Sequence, residues 1–303
     1  MEKALWGIDL GGTKIEGVII QSKSNPQVIS RMRIPTESEK GYEHIIRQIK
    51  NLLDLLKNDS GLTPEKIGFG TPGTLDPITQ KIKNSNTVCL NGMPFQQDME
   101  WILGIPVVLA NDANCFVLAE TQMGVIKEVF PQATVVFGVI LGTGVGGGIV
   151  IHGQIIGGRQ GIGGEWGHNF LDESGGKCYC GKTGCVETVI AGSSLEKYYQ
   201  TLSGTRLRLP EIVKRYQEKS DAYAATTIQR LLTKFGQAIS VVINILDPDV
   251  VVLGGGVGNI DILYTEGVKE VKKHVFNNRL DTIFLRPKLG DSAGVFGAAM
   301  LID

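Results

Sequence analysis

Apolar residues along this chain recur at two spacings, and the switches between them mark out its elements. Residues 4–9 and 15–20 are short apolar runs on either side of Gly11-Gly12, which predicts two strands around a tight turn. From about 42 to 57 the spacing becomes helical, with Ile45, Ile46, Ile49, Leu52, Leu53 and Leu56 on one face. Short β-type runs follow at 66–70 and 106–110, each leading into a polar turn. Residues 134–141 are apolar and β-branched, 142–148 read Gly-Thr-Gly-Val-Gly-Gly-Gly, and 149–151 return as a strand. Past residue 190 helical spacing dominates. The longest stretch, 221–245, carries Ala224, Ile228, Leu231, Leu232, Phe235, Ile239, Val242 and Ile243 and stops at Asp247-Pro248. A strand over 249–253 ends in Gly254-Gly255-Gly256, and 262–275, 282–286 and 293–302 read as helix, strand and a small-residue helix.

Two of these units look alike: strand, glycine turn with threonine, returning strand. An internal duplication would give two related domains with both turns facing one cleft; the alternative is two unrelated hairpins in a single sheet. We take duplication as the expectation. No Pro/Ser-rich linker parts the halves, so the domains should be tightly connected.

Composition narrows the class. The 303 residues are 42% hydrophobic and 20% charged with a net charge of −1, which offers no general attraction to nucleic acid or to an anionic membrane. Neither a secretory leader nor an apolar run of membrane-spanning length is expected. Five cysteines, an odd number, argue against a secreted disulfide framework, so the cytoplasm is the expected location.

Candidate chemistry gathers in two places. His168 with Cys178, Cys180 and Cys185 supplies three thiolates and an imidazole, a set suited to tetrahedral zinc with no open position, hence a structural site. Three of five cysteines within eight residues make an accidental grouping a poor explanation. Cys89 and Cys115 read as packed thiols, and His44, His152 and His274 as surface or packing residues. The second place is the run Asp9-Leu10-Gly11-Gly12-Thr13-Lys14, which lies between two strands. A P-loop or a dinucleotide fingerprint would open a helix instead. A glycine hairpin of this kind offers backbone N–H groups, the Thr13 hydroxyl and the Lys14 charge to phosphate oxygens, and Asp9 could hold Mg²⁺ through water. One such turn is weak evidence, since hairpins are glycine-rich for conformational reasons alone. The turns at 142–148 and 254–256 strengthen it.

Taken together, these residues resemble the ROK family of bacterial sugar kinases and related repressors. The likeness runs over Asp9 to Lys14, Thr71-Pro72-Gly73, residues 110–114 (Ala-Asn-Asp-Ala-Asn), Gly142-Thr143-Gly144, residues 164–168 (Gly-Glu-Trp-Gly-His), the cysteine loop with Glu187, and Gly254 to Gly256. It implies an α/β, two-domain actin-like ATPase (ribonuclease H-like) fold with an interdomain cleft. The expected domains are 1–118, joined by a C-terminal helix at 290–303, and 119–289 with the zinc loop. The repressors of the family carry an extra N-terminal helix-turn-helix, for which a hairpin starting at residue 9 leaves no room, so a kinase is expected.

Within the family the chain is similar to bacterial fructokinases that also accept mannose, through 83–87, 90–92, 178–188 and 244–249. N-acetylglucosamine kinases share much of the pattern. The expectation is therefore transfer of the γ-phosphoryl of ATP to the 6-hydroxyl of a hexose, fructose first, with an N-acetylhexosamine kinase or a non-catalytic sugar sensor as alternatives. The resemblance makes Asp112 the catalytic base, although an aspartate there could equally be a helix N-cap. It assigns the sugar to Gly73, Asn86, Asn111, Asp112, Glu165, His168 and Glu187, with His168 using one ring nitrogen for zinc and the other for a sugar hydroxyl. It assigns ATP and Mg²⁺ to Asp9, Gly11, Gly12, Thr13, Lys14, Gly142, Thr143, Gly144, Gly254, Gly255 and Gly256. It also implies domain closure on the sugar, and a homodimer.

Overall fold

The structure is a computed structural model that describes residues 3–302; residues 1, 2 and 303, which the expected domain ranges include, lie outside them. In chain order it opens with strands β1 (Leu5–Leu10), β2 (Lys14–Ile20) and β3 (Val28–Pro35), helix α1 (Tyr42–Ser60), and strands β4 (Ile67–Thr71), β5 (Thr74–Leu75) and β6 (Ile82–Lys83). Helix α2 (Phe95–Leu103), strand β7 (Val107–Asn111) and helices α3 (Asp112–Gln122) and α4 (Val125–Val129) follow. Then come β8 (Val135–Leu141), β9 (Val145–Ile151), β10 (Gln154–Ile155), α5 (Val186–Ile190), α6 (Gly192–Ser203), α7 (Leu209–Gln217) and α8 (Ala222–Leu246). The chain closes with β11 (Val250–Gly254), α9 (Gly255–Gly258), α10 (Glu266–His274), β12 (Ile283–Leu285) and α11 (Ala293–Met300).

Two five-stranded sheets result, ordered β3-β2-β1-β4-β7 and β10-β9-β8-β11-β12. In the first, β2 pairs antiparallel with β1 and β3, while β4 and β7 run parallel to β1. In the second, β10 pairs antiparallel with β9, and β11 runs parallel to β8 and β12. The order repeats strand for strand, which is the pattern that duplication predicts and unrelated hairpins do not.

The chain divides into two compact units. One comprises the described residues up to Pro131, Gly148–Gly163 and those from Lys288 onward; the other comprises Gln132–Gly147 and Gly164–Pro287. The division falls at 131/132 where the sequence reading put it at 118/119, because α3 runs unbroken to Gln122 and packs along its length on α11. In the first unit α1 buries the six apolar residues that its spacing picks out, and Gly61, at φ 68°, ends it in the left-handed region that glycine adopts without strain. Helix α11 lies so close to β1 and β4 that a Cβ on Gly68 would sit 1.8 Å from the Ala298 carbonyl oxygen. A Cβ on Gly297 would sit 1.8 Å from that of Cys115 on α3. Glycines at these crossings let backbones pack without a spacer. Glu120, fully buried on α3, accepts from the N–H groups of Val125, Lys288 and Leu289, so one carboxylate fixes three chain segments of this unit.

In the second unit α8 buries the apolar face that its spacing predicts, apart from a half-exposed Val242, and packs against α10. The expected helix over 262–275 is broken: a 3₁₀ turn, Asp261–Tyr264, precedes α10, and Thr265 between them is not a regular cap. No helix among the described residues is long and apolar enough to cross a membrane.

Candidate active site

In the first unit the 9–14 hairpin is a closed four-residue turn, with the Gly11 N–H donating to the Lys14 carbonyl at 3.0 Å. The carbonyls of the turn are held from one side: Thr36 Oγ1 donates to Gly11 O, Ser38 Oγ to Gly12 O, and the Thr36 N–H to Thr13 O. Peptide planes pinned by their oxygens turn their N–H groups the other way, and Gly12 and Thr13 are solvent-exposed. Gly11 is thus not a free donor; Gly12 and Thr13 form the tip. A cavity of about 720 Å³ opens beside them, lined also by Ser38, Asn86, Val88 and Cys89, and so brings Asn86 next to the hairpin.

Asp9 is the penultimate residue of β1, behind this tip. Its carboxylate is packed between Gly70 and Gly294, where a Cβ would come within 3.2 and 2.9 Å, and beside buried Cys115. Burial pushes its pKa up to about 7, helped by the charges of Asp112 and Glu16 and opposed by Lys14 and Arg33. Glu16 is itself 1% exposed and ion-paired to Arg31 and Arg33 at 2.6 and 2.7 Å. Asp9 is therefore an acid crowded by two others, a place where a divalent cation would relieve repulsion.

The turn from β7 into α3 settles which residue caps the helix. Asn111 is the N-cap: its Oδ1 accepts from the Ala113 N–H at 2.9 Å, and its Nδ2 donates to the Gly73 carbonyl at 3.2 Å. Asp112 is the first helical residue, and its Oδ1 shares the same N–H at 2.7 Å. The capping role considered for Asp112 thus falls largely to its neighbour. Solvent reaches Asp112, yet the protein around it raises its carboxyl above the usual range by desolvation, against the pull of Ala113 and Asn111. Water at its open edge screens the charge and limits that rise. Gly73, at φ 80°, has a reason of its own to be glycine, since a Cβ would lie 2.5 Å from the Lys83 carbonyl.

In the second unit the 142–144 turn is built like the first. The Gly192 N–H donates to Gly142 O at 2.8 Å and Ser193 Oγ to Thr143 O at 2.7 Å, so its carbonyls are again held from one side. Gly142, Thr143 and Gly256 line a cavity of about 650 Å³. Its other walls include Leu209, Pro210 and Val213 of α7 with Val257 and Ile260, and Arg208 and Lys214 stand at it too. Apolar walls for a flat base with cations nearby suit a nucleotide. The α7 residues were not legible in the sequence, where only Pro210 at the start of an amphipathic helix marks the segment. Of the other expected nucleotide residues, Gly254 and Gly255 do not line this cavity. Gly255, at φ 82°, is glycine because a Cβ would meet the Leu141 carbonyl at 2.3 Å. Gly144 lies under Glu187, whose Oε2 accepts from the Val145 N–H at 2.9 Å.

The metal set comes together in the same unit. The ligand atoms of His168, Cys178, Cys180 and Cys185 all lie within 4.8 Å of one another. His168 Nδ1 is 3.5 Å from Cys178 Sγ, and Cys180 Sγ is 3.6 Å from Cys185 Sγ. A tetrahedron with metal–sulfur bonds of about 2.3 Å has edges of roughly 3.5–3.8 Å. The donors fit zinc, and Gly181 and Gly184, at φ 89° and 75°, supply the tight turns of the loop. Glu165 and Glu187 flank the loop, both half-buried where a purely solvated role would leave them open. His168 Nε2, the nitrogen expected to meet a sugar, is 3.0 Å from the Tyr179 hydroxyl. Sequence reasoning passed over Tyr179 because it stands between two cysteines and matches no chemical pattern alone.

An α/β molecule with two sheets of this order has the architecture of the actin-like ATPases, and comparison with known proteins agrees. The model of the ROK family matches residues 5–303, and the chain belongs to that family. It is 34% identical to an N-acetyl-D-glucosamine kinase of Mannheimia succiniciproducens, over 98% of both chains. The ROK hexokinase of Thermus thermophilus superposes with a TM-score of 0.86 at 31% identity, covering 98% of this chain and 97% of the other. A ROK glucokinase of Streptomyces griseus, in complex with glucose and AMPPNP, gives 0.78 at 25% identity over 98% of each.

Proposed function

We propose that this chain is an ATP-dependent sugar kinase that phosphorylates the 6-hydroxyl of an N-acetylated hexosamine, N-acetylglucosamine foremost. The observation that carries the kinase reading is the pairing of Asp9 and Asp112 in one electrostatic cluster beside a hairpin whose N–H groups face outward. The choice of sugar rests on the full-length similarity to an N-acetyl-D-glucosamine kinase and moves the first expectation away from fructose.

In this reading Asp112 accepts the proton of the attacking hydroxyl as its oxygen bonds to the γ-phosphorus and the bond to ADP breaks. A base so placed contributes about 10²–10⁴-fold, and orientation of the hydroxyl supplies much of the rest. Asn111 fixes Asp112 by taking the helix cap. Gly12 and Thr13 with Lys14, and Gly142 with Thr143, receive phosphate oxygens, and the cavity beside α7 takes the nucleoside. Glu165 and Glu187 hold sugar hydroxyls, His168 serves the sugar through the neighbour its outer nitrogen holds, and Asn86 is a further contact. Mg²⁺ held at Asp9 through water would neutralise phosphate charge, and zinc on the four ligands would brace the loop that carries His168.

A second reading, a fructokinase that also takes mannose, is favoured by the likeness through 83–87, 90–92, 178–188 and 244–249. The test is ADP release across N-acetylglucosamine, N-acetylmannosamine, glucose, mannose and fructose. Turnover led by the acetylated sugars supports the proposal, turnover led by fructose supports the second reading, and no turnover with any sugar would make the chain a sensor.

A further inference from the structure

Tyr179 lies between two metal ligands and has no part in the scheme above. Its hydroxyl is 3.0 Å from His168 Nε2, and the two rings meet edge to face, with centroids 5.1 Å apart and planes at 89°. His168 turns Nδ1 toward the thiols. An imidazole that gives its Nδ1 lone pair to a cation carries its proton on Nε2. Nε2–H then donates and the phenol oxygen accepts, which leaves the phenol's own proton to give. The side chain is 71% exposed, so that proton faces open space.

The chemistry of the cluster is lopsided. The carboxylates of Glu165 and Glu187, which flank the loop, offer acceptors, and they suit sugar hydroxyls or an amide N–H. An amide carbonyl also only accepts, and it is repelled by such neighbours unless a donor meets it. The Nε2–H is already committed, which leaves the Tyr179 hydroxyl as the donor.

We propose that Tyr179 is a specificity-determining residue whose hydroxyl, steadied by His168, donates to the acetamido carbonyl of an N-acetylated hexosamine. This rests on the sugar reading above. A fructose or mannose hydroxyl in that position can donate to a carboxylate instead, so it needs Tyr179 less.

Tyr179→Phe keeps the ring and removes the donor. The measurements are kcat/KM for N-acetylglucosamine and for glucose, calorimetric binding of each sugar without ATP, and zinc per chain. The ratio of kcat/KM for N-acetylglucosamine over glucose should fall about tenfold, mainly through KM, as expected for a carbonyl left without its partner. Zinc content should stay at one per chain, and binding of the acetylated sugar should weaken in step. An unchanged ratio, or an equal loss for both sugars with or without loss of zinc, overturns the role. If the unaltered protein turns over glucose and no acetylated sugar, the sugar reading falls and takes this inference with it. If it prefers the acetylated sugar and the variant keeps that preference in full, the role of Tyr179 alone is wrong.

Discussion

At the scale of single residues, two aspartates of the first unit, one on β1 and one at the first turn of α3, do opposite things with similar chemistry. Asp112 has one oxygen on a helix N-terminal N–H and an edge open to solvent, so it is accessible, as a proton acceptor must be. Asp112→Asn is nearly isosteric and keeps an acceptor for Ala113. It should lower kcat by at least about 10³-fold while calorimetry finds sugar affinity within a few-fold of the parent. Asp9 is packed and crowded, with its pKa raised from 3.8 to about 7. The folded chain therefore holds this proton more tightly than the unfolded one, and the nucleotide-free protein should lose stability as pH rises from about 4 to about 7 and level off above. Asp9→Asn should flatten that dependence and raise the melting temperature at pH 8, at the expense of turnover. A melting series over pH without nucleotide checks it, and an unchanged slope in the variant would show that Asp9 is not strained.

At the scale of elements, what could be read from the sequence was whatever has a periodic or chemical signature. Helices α1 and α8 have full apolar faces, the metal set has four soft donors, and the first and second glycine turns each close an apolar run. Strand β3 was missed because its apolar alternation is thin: Arg31 and Arg33 occupy it, there to pair with buried Glu16. Helix α3 was missed because it is buried nearly all round and so has no polar face to set its period. The third glycine patch misled in part, since Gly255 answers to the Leu141 backbone. The cysteine loop makes the firmest prediction at this scale. Cys180→Ser removes one thiolate from a tetrahedral set, and its zinc content by elemental analysis should fall well below one per chain. Sugar binding should weaken about tenfold or more through the freed His168, in keeping with outer-shell effects on ordered sites. A variant that lost zinc and bound sugar normally would deny the loop its orienting role.

For the molecule as a whole, one design is used twice. The chain carries two five-stranded sheets of the same order, each with a glycine turn between its first two strands in sequence, and in both turns neighbouring residues hold the carbonyls so that the amides face away. That repetition favours two turns built to face phosphate over a single accidental nest, and it weighs against a sensor that has lost turnover. The sugar is a finer matter than the fold can decide, because two carboxylates recognise hydroxyls that many hexoses share. The central claim is best tested by phosphate transfer from ATP, followed as ADP release in side-by-side kcat/KM values for N-acetylglucosamine and fructose, with the product's phosphorylated carbon identified by NMR. The account predicts at least a tenfold preference for N-acetylglucosamine and phosphate on carbon 6. A preference for fructose, or phosphate on another carbon, would contradict it.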